Sequence, residues 1–331
     1  MNSTHERPVV NITPEKHPNA DNLSVVKIYD SYTCVINTEQ WNGVNKAVYI
    51  QPDSMVDTNK PEFAFLKHPK GNNPVRVTVK KIRGIYSQGL LIPAPDWAKE
   101  GDNLAEYYNV GHYEPPMMDG GTRGDVEKPP TLFACCPKYD IDTYRKYRMV
   151  FSENEIVNVT EKLNGCNARF VFTDNQVYVG GRNVWMKDTT PTVYWNSFRN
   201  NPNIEKFIRD NPNLMLYGEV YGQVKNWWYD CQPRVPAFRA FDICRPDFTF
   251  LCVNEFLDMT SKWNIPTVPQ LGNIKCDFDM LESMAEGETT LGVAPCREGI
   301  VIKPMVERQD SKIGRVFLKL VGNGYLESKH S

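Results

Sequence analysis

Two Lys-x-x-Gly segments of this chain each follow a β-branched, strand-like run. The first copy is Lys81-Ile82-Arg83-Gly84. The second is Lys162-Leu163-Asn164-Gly165, within Val159-Thr160-Glu161-Lys162-Leu163-Asn164-Gly165-Cys166-Asn167. A lysine amine, once neutral, is a nucleophile able to attack the α-phosphorus of a nucleotide. Its ordinary pKa of about 10.4 must fall for that, through desolvation and neighbouring cations. Glycine three residues on lets the backbone turn closely beside a phosphate. The pattern alone carries no weight, because the copy at Lys81 serves as an internal control. The two differ in the residues downstream of each lysine.

After Lys162 come Gly181-Arg182, Leu216-Tyr217-Gly218-Glu219-Val220 and Phe238-Arg239-Ala240-Phe241-Asp242-Ile243. Next are Arg297-Glu298-Gly299-Ile300-Val301-Ile302-Lys303 and Val316-Phe317-Leu318-Lys319-Leu320-Val321. Each sets polar residues at the edge of an apolar run, as expected where sheets line a pocket. Taken singly, each charged residue reads as solvated surface and Phe241 as core. Their joint order reverses that reading.

This ordered set resembles the covalent nucleotidyltransferase superfamily of ATP-dependent ligases and mRNA capping enzymes. The Lys-x-x-Gly-x-Asn form and the closing Phe-Leu-Lys-Leu-Val are similar to RNA ligases in particular. The resemblance implies that Lys162 forms a lysyl–AMP adduct, Glu219 holds the ribose and Phe241 stacks on adenine. It implies that Arg182 and Asn167 engage the phosphates or the RNA end, and that Lys319 contacts the α-phosphate. Glu161, Gly165 and Lys303 complete the expected nucleotide-binding set. Glu298, Asp242 and Glu219 are the expected ligands of Mg²⁺ or Mn²⁺. Phosphoryl transfer asks for in-line positioning, cations on nonbridging oxygens and a metal on the leaving group, which such residues supply. The chain departs from the family pattern at three places. Asn164 stands where Asp or His is usual, Gly181 replaces a Ser, and Val321 replaces a second lysine. Lys319 then acts alone or with Lys303 or Lys312.

A length of 331 residues suits two domains, and 41% hydrophobic with 24% charged residues suits an ordinary folded protein. Residues 1–110 carry β-branched runs (Val25–Ile28, Ala47–Ile50, Val75–Val79, Gly89–Ile92) broken by Pro, Gly and Asn, which predicts a small barrel. Residues 111–131, with Pro115-Pro116, Gly120-Gly121, Gly124 and Pro129-Pro130, read as a linker. Residues 132–331 mix strands (Ile156–Thr160, Arg169–Phe172) with helices (Asn203–Asn211, Phe250–Trp263), which predicts an α+β domain of antiparallel sheets. Under the resemblance this is an ATP-grasp-like nucleotidyltransferase domain.

In the first domain, His17-Pro18-Asn19-Ala20-Asp21-Asn22-Leu23 and the run Lys80–Leu91 resemble OB-fold RNA-binding modules. They are closest to the N-terminal OB domain of RNA ligases that seal nicks in duplex RNA. Lys80, Lys81 and Arg83 then become phosphate contacts beside Tyr86, the bland alternative being a charged barrel face. Trp41 and Trp227-Trp228 read as packing residues. A net charge of −2 means that RNA must be held by local patches. Nine scattered cysteines without a CxxC pair, no secretory leader and no long apolar run predict an intracellular monomer off the membrane.

The expected function is an RNA ligase joining a 3′-OH to a 5′-phosphate, at nicks in duplex RNA. Rivals are a DNA nick ligase, a capping guanylyltransferase, or a noncatalytic OB-fold RNA-binding protein. The OB-like segment precedes the core here, and only residues 322–331 come after the last motif. DNA ligases and capping enzymes carry theirs after the core, so the order favours RNA ligation.

Overall fold

The computed structural model describes residues 5–328 apart from 69–70, 114–124, 137, 190, 225–226, 232–234 and 293–295. The turn-rich centre of the expected linker and the side chains of Trp227 and Trp228 lie outside the described residues. Contacts divide the chain into two units. One comprises residues 5–113, 142–147 and 323–328, and the other 125–141 and 148–322.

The first unit is built from short antiparallel strands. Three of them, Val9–Asn11 (β1), Lys46–Ile50 (β4) and Leu90–Pro93 (β7), pair in the order β1–β4–β7. Val48 and Ile50 point into one apolar cluster, while Ala47 and Tyr49 point into another. Successive side chains of a strand leave on opposite faces, so β4 is buried on both. Leu23–Ile28 (β2) and Tyr32–Asn37 (β3) form a hairpin over the second cluster, which also takes in Trp41. Val79–Ile82 (β5) and Ile85–Gln88 (β6) form another hairpin, carrying Lys80 and Lys81.

The second unit is built on two large antiparallel sheets. In the first, Ile156–Lys162 (β8), Gln270–Lys275 (β13), Gly299–Pro304 (β14) and Leu318–Val321 (β15) pair in the order β15–β14–β8–β13. In the second, Cys166–Thr173 (β9), Gln176–Gly181 (β10), Met215–Tyr221 (β11) and Ala237–Cys244 (β12) pair in the order β10–β9–β11–β12. Helices Val193–Arg199 (α1), Pro202–Asp210 (α2) and Val253–Lys262 (α3) cover one face of this second sheet. There Phe170, Leu216, Val220, Phe238 and Ile243 pack on Phe198, Phe207 and Phe256. The helices start where local chemistry allows. Thr192 accepts from the Trp195 N–H at 3.2 Å, Pro202 opens α2, and the Glu255 carboxylate caps the Cys252 N–H at 2.8 Å. The helices expected at 203–211 and 250–263 are present, each shifted or trimmed at its ends.

Candidate active site

Strand β8 ends on Lys162, and its alternation decides which side chains share the site. Asn158, Thr160 and Lys162 lie opposite Lys303, Val301 and Gly299 of β14, and Val301 lies opposite Lys319 of β15. Cross-strand partners face the same way, so Lys162, Lys303 and Lys319 share one face. Val157, Val159, Ile300, Ile302, Leu318 and Leu320 form the other face, each fully buried.

Glu161 belongs with that second set. Its carboxylate accepts from the Thr290 N–H at 2.9 Å, from the Thr290 and Thr289 hydroxyls, and faces Arg297 at 3.6 Å. The expectation that it binds nucleotide is therefore corrected. A period of two puts Glu161 on the face opposite Lys162, where it secures the segment leading to Glu298.

On the Lys162 face, Nζ donates to Glu298 Oε1 at 2.7 Å. Burial pulls the ammonium down, yet Glu298 and Glu219 outweigh it and hold the Lys162 pKa above its ordinary value. Burial, with Glu298 adding to it, pushes the Glu219 carboxyl up to about 8, against the pull of Lys162 and the Gly165 N–H. Gly165 can bond Glu219 because nothing stands between the strands. A Cβ on Gly165 would collide with the Val220 carbonyl of β11. Asn167 lies opposite Glu219, and its Oδ1 is buried without a partner, as is Oε2 of Glu298. Two partnerless buried oxygens beside a lysine and a second acid mark a site shaped for a ligand that supplies donors or positive charge.

Asp242 has partners of its own. It is 1% exposed and accepts from Lys303 Nζ at 2.9 Å, from Arg315 at 2.8 Å and from the Tyr139 hydroxyl. Burial would raise its pKa, but Arg315 and Lys303 hold it below the ordinary carboxylate range. Glu307 takes the rest of the Arg315 guanidinium at 2.6 and 2.7 Å. Of the expected metal set of Glu298, Asp242 and Glu219, Asp242 is the member already bonded to cations. Among the described residues no three acids, histidines or cysteines gather as one shell, and the Asp242 charge is already met by two cations. Lys303 is its partner. Its Nζ is directed to Asp242 and, at 2.8 Å, to the Phe241 carbonyl. Lys312 is exposed on a separate turn, away from the strands that carry Lys162.

Phe241 is the extra residue of a β-bulge. Tyr217 pairs with Asp242 and Gly218 with Ala240, leaving Phe241 outside the ladder. A bulge re-aims its side chain. The ring stacks obliquely on Tyr139 at 5.0 Å and lines a cavity with Thr160, Leu251, Phe256, Val268 and Lys303. Arg182 pairs with Asp140. The Ser-to-Gly departure at position 181 has a local reason, since a Cβ there would meet the Tyr194 hydroxyl at 2.6 Å.

In the first unit, Lys80, Lys81 and Arg83 are exposed on the β5–β6 hairpin, with Lys81 Nζ 5.0 Å from the centre of the Tyr86 ring. Sequence reasoning missed Arg315 and Tyr229. Arg315 lies just before the last motif without any spacing signal. Tyr229 falls in a connection with no periodicity, yet its phenol oxygen accepts from the Asn164 N–H at 2.7 Å.

The RNA ligase family model matches residues 155–321, just over half of the 331 residues, and an OB-fold domain model matches 7–94. Among solved structures, a mutant Naegleria gruberi RNA ligase with ATP and Mn is 23% identical. It covers 97% of this chain and 98% of its own, with a TM-score of 0.82. The same ligase with PPi is 23% identical over 98% of this chain and 99% of its own, TM-score 0.82. Another mutant with AMP and Mn is 23% identical over 98% of both chains, TM-score 0.82. At that identity the likeness speaks for the fold, an N-terminal OB-fold domain followed by an α+β ligase domain, as expected from the sequence. No curated protein matches by sequence.

Proposed function

The chain belongs to the RNA ligase family, and on that premise we propose that it uses ATP to join a 3′-OH to a 5′-phosphate at nicks in duplex RNA. Lys162 is the nucleophile. As the ammonium bonded to Glu298 it has no lone pair, so attack requires that the pair open and the proton leave. Glu298, already accepting from Nζ, is placed to receive it. The neutral amine attacks the α-phosphorus, a P–N bond forms and pyrophosphate leaves. A 5′-phosphate oxygen of the RNA then displaces Lys162, which regains its proton. The 3′-OH next attacks the adenylated phosphate, and AMP departs.

The residues divide this work. Phe241, in the cavity wall, stacks on adenine. Glu219, buried beside Lys162 and the Gly165 N–H, takes the ribose. Lys319, on the Lys162 face, meets the α-phosphate, and Arg182 with Asn167 engages the phosphates or the RNA end. A divalent cation, Mg²⁺ or Mn²⁺, fits Glu298, which offers a partnerless buried oxygen, with the Glu219 carboxylate as its neighbour. When bound it would neutralise charge on phosphate oxygens, keeping most of its waters. Exposed Lys80, Lys81 and Arg83 grip the RNA backbone. The protein acts as a monomer inside the cell, in line with nine free cysteines.

The observation that carries this reading is the Lys162–Glu298 pair set beside Glu219 and the Gly165 N–H. Incubation with each α-labelled NTP, then a denaturing gel, tests it. A covalent adduct from ATP is expected, along with sealing of nicks that have RNA at both ends. An adduct from GTP alone would indicate capping chemistry. No adduct at all would leave an RNA-binding protein, and sealing of DNA nicks alone a DNA ligase.

A further inference from the structure

We propose that Tyr229 is a positioning residue of adenylation, its phenol oxygen fixing the turn that carries Lys162. This role rests on the adenylation chemistry assigned to Lys162. The Asn164 N–H, two residues past the nucleophile, donates to Tyr229 Oη at 2.7 Å. Tyr229 is 4% exposed. Burial, opposed by the Asn164 N–H but reinforced by Glu298, Glu161 and Glu219, raises its pKa, so the phenol stays neutral.

The ring and the backbone beside it are themselves held. It meets Tyr221 edge-on at 5.3 Å, and the Tyr221 hydroxyl accepts from Arg239 Nε at 3.0 Å. The next residue, Asp230, donates its N–H to the Leu291 carbonyl at 2.7 Å. The neighbouring Thr289 and Thr290 bond the buried Glu161 carboxylate. A continuous path therefore runs from Glu161, through 289–291 and Asp230, to Tyr229 and back to Asn164. It closes around Lys162 and ties the turn to the strand that enters it. A nucleophile misplaced by about 1 Å loses on the order of a hundredfold in rate, so a constraint here acts on chemistry before it acts on stability.

Tyr229→Phe keeps the ring and its packing and removes only the oxygen. Tyr221→Phe alters the adjoining ring without touching the turn and serves as the control. Single-turnover labelling of the full-length protein by ATP, titrated for KM and rate, reads the effect. Tyr229→Phe should slow adduct formation about tenfold, the scale of one hydrogen bond to a buried N–H. ATP half-saturation should stay near wild type, and Tm should fall by no more than the few degrees that one lost hydrogen bond costs. Sealing of RNA supplied already adenylated should be unchanged, because Lys162 is not the nucleophile in that step. Wild-type labelling by Tyr229→Phe overturns the proposal, as does an equal loss in Tyr221→Phe or a loss expressed only in KM. If the wild-type protein itself takes no label, the adenylation reading falls and this inference with it.

Discussion

The two Lys-x-x-Gly segments have the same four-residue pattern and opposite physics. Around Gly84 the chain makes a tight hairpin turn. Arg83 and Gly84 both have positive φ, 48° and 95°, and Ile82 pairs with Ile85 across it. Glycine is there for backbone twist, as two-residue hairpin loops require. Around Gly165 the need is for closeness, because any side chain would strike the Val220 carbonyl. The lysines differ as sharply. Lys81 is exposed over Tyr86, whereas Lys162 is 24% exposed and bonded to Glu298. A nucleophile needs neighbours that set its charge and aim, and only the second turn has them.

The largest test of that contrast removes each lysine in turn. Lys162→Ala should abolish lysyl–AMP formation while leaving sealing of adenylated RNA. Lys81→Ala should label with ATP at the wild-type rate. Labelling that survives in Lys162→Ala but vanishes in Lys81→Ala would show that the wrong turn has been chosen.

The glycines give a subtler comparison. Gly165→Ala forces β11 and the nucleophile's turn apart, and adduct formation should fall about a hundredfold, the usual effect of a displacement near 1 Å. Overpacking should also cost about 1–3 kcal/mol in denaturant unfolding. Gly84→Ala meets only the Asn19 side chain at 3.4 Å, so its cost is the left-handed backbone alone, about 1–2 kcal/mol. Its adenylation rate should not change. Similar losses of rate in both variants would mean that the turns are not distinct in function.

The order of motifs made the lysine, its two acids and the sheet edges legible from sequence, because each motif sits where a strand begins or ends. Faces were less legible. Glu161 adjoins Lys162 in the chain and so entered the expected site, although strand alternation turns it into the core. The partners of Asp242 were illegible for a different reason. Nothing in a run of Phe241-Asp242 tells that Lys303 and Arg315, 61 and 73 residues onward, neutralise it. A bulge at Phe241, likewise, is a matter of register against β11 rather than of composition. Tyr229 could not be found at all, since its link to Asn164 spans 65 residues between two turns without periodic pattern.

The smallest expected effect concerns what the first turn does instead. If the β5–β6 hairpin grips RNA, replacing Lys80, Lys81 and Arg83 together by alanine should weaken binding of nicked duplex severalfold at moderate salt. Removing one phosphate-binding cation should lower the slope of log affinity against log salt by about one. ATP labelling should be untouched, because none of the three lies in the unit that carries Lys162. A salt titration of RNA binding, run beside the labelling assay, separates the outcomes. An unchanged slope would make the hairpin a solvated face, and the first Lys-x-x-Gly a structural turn with no part in ligation.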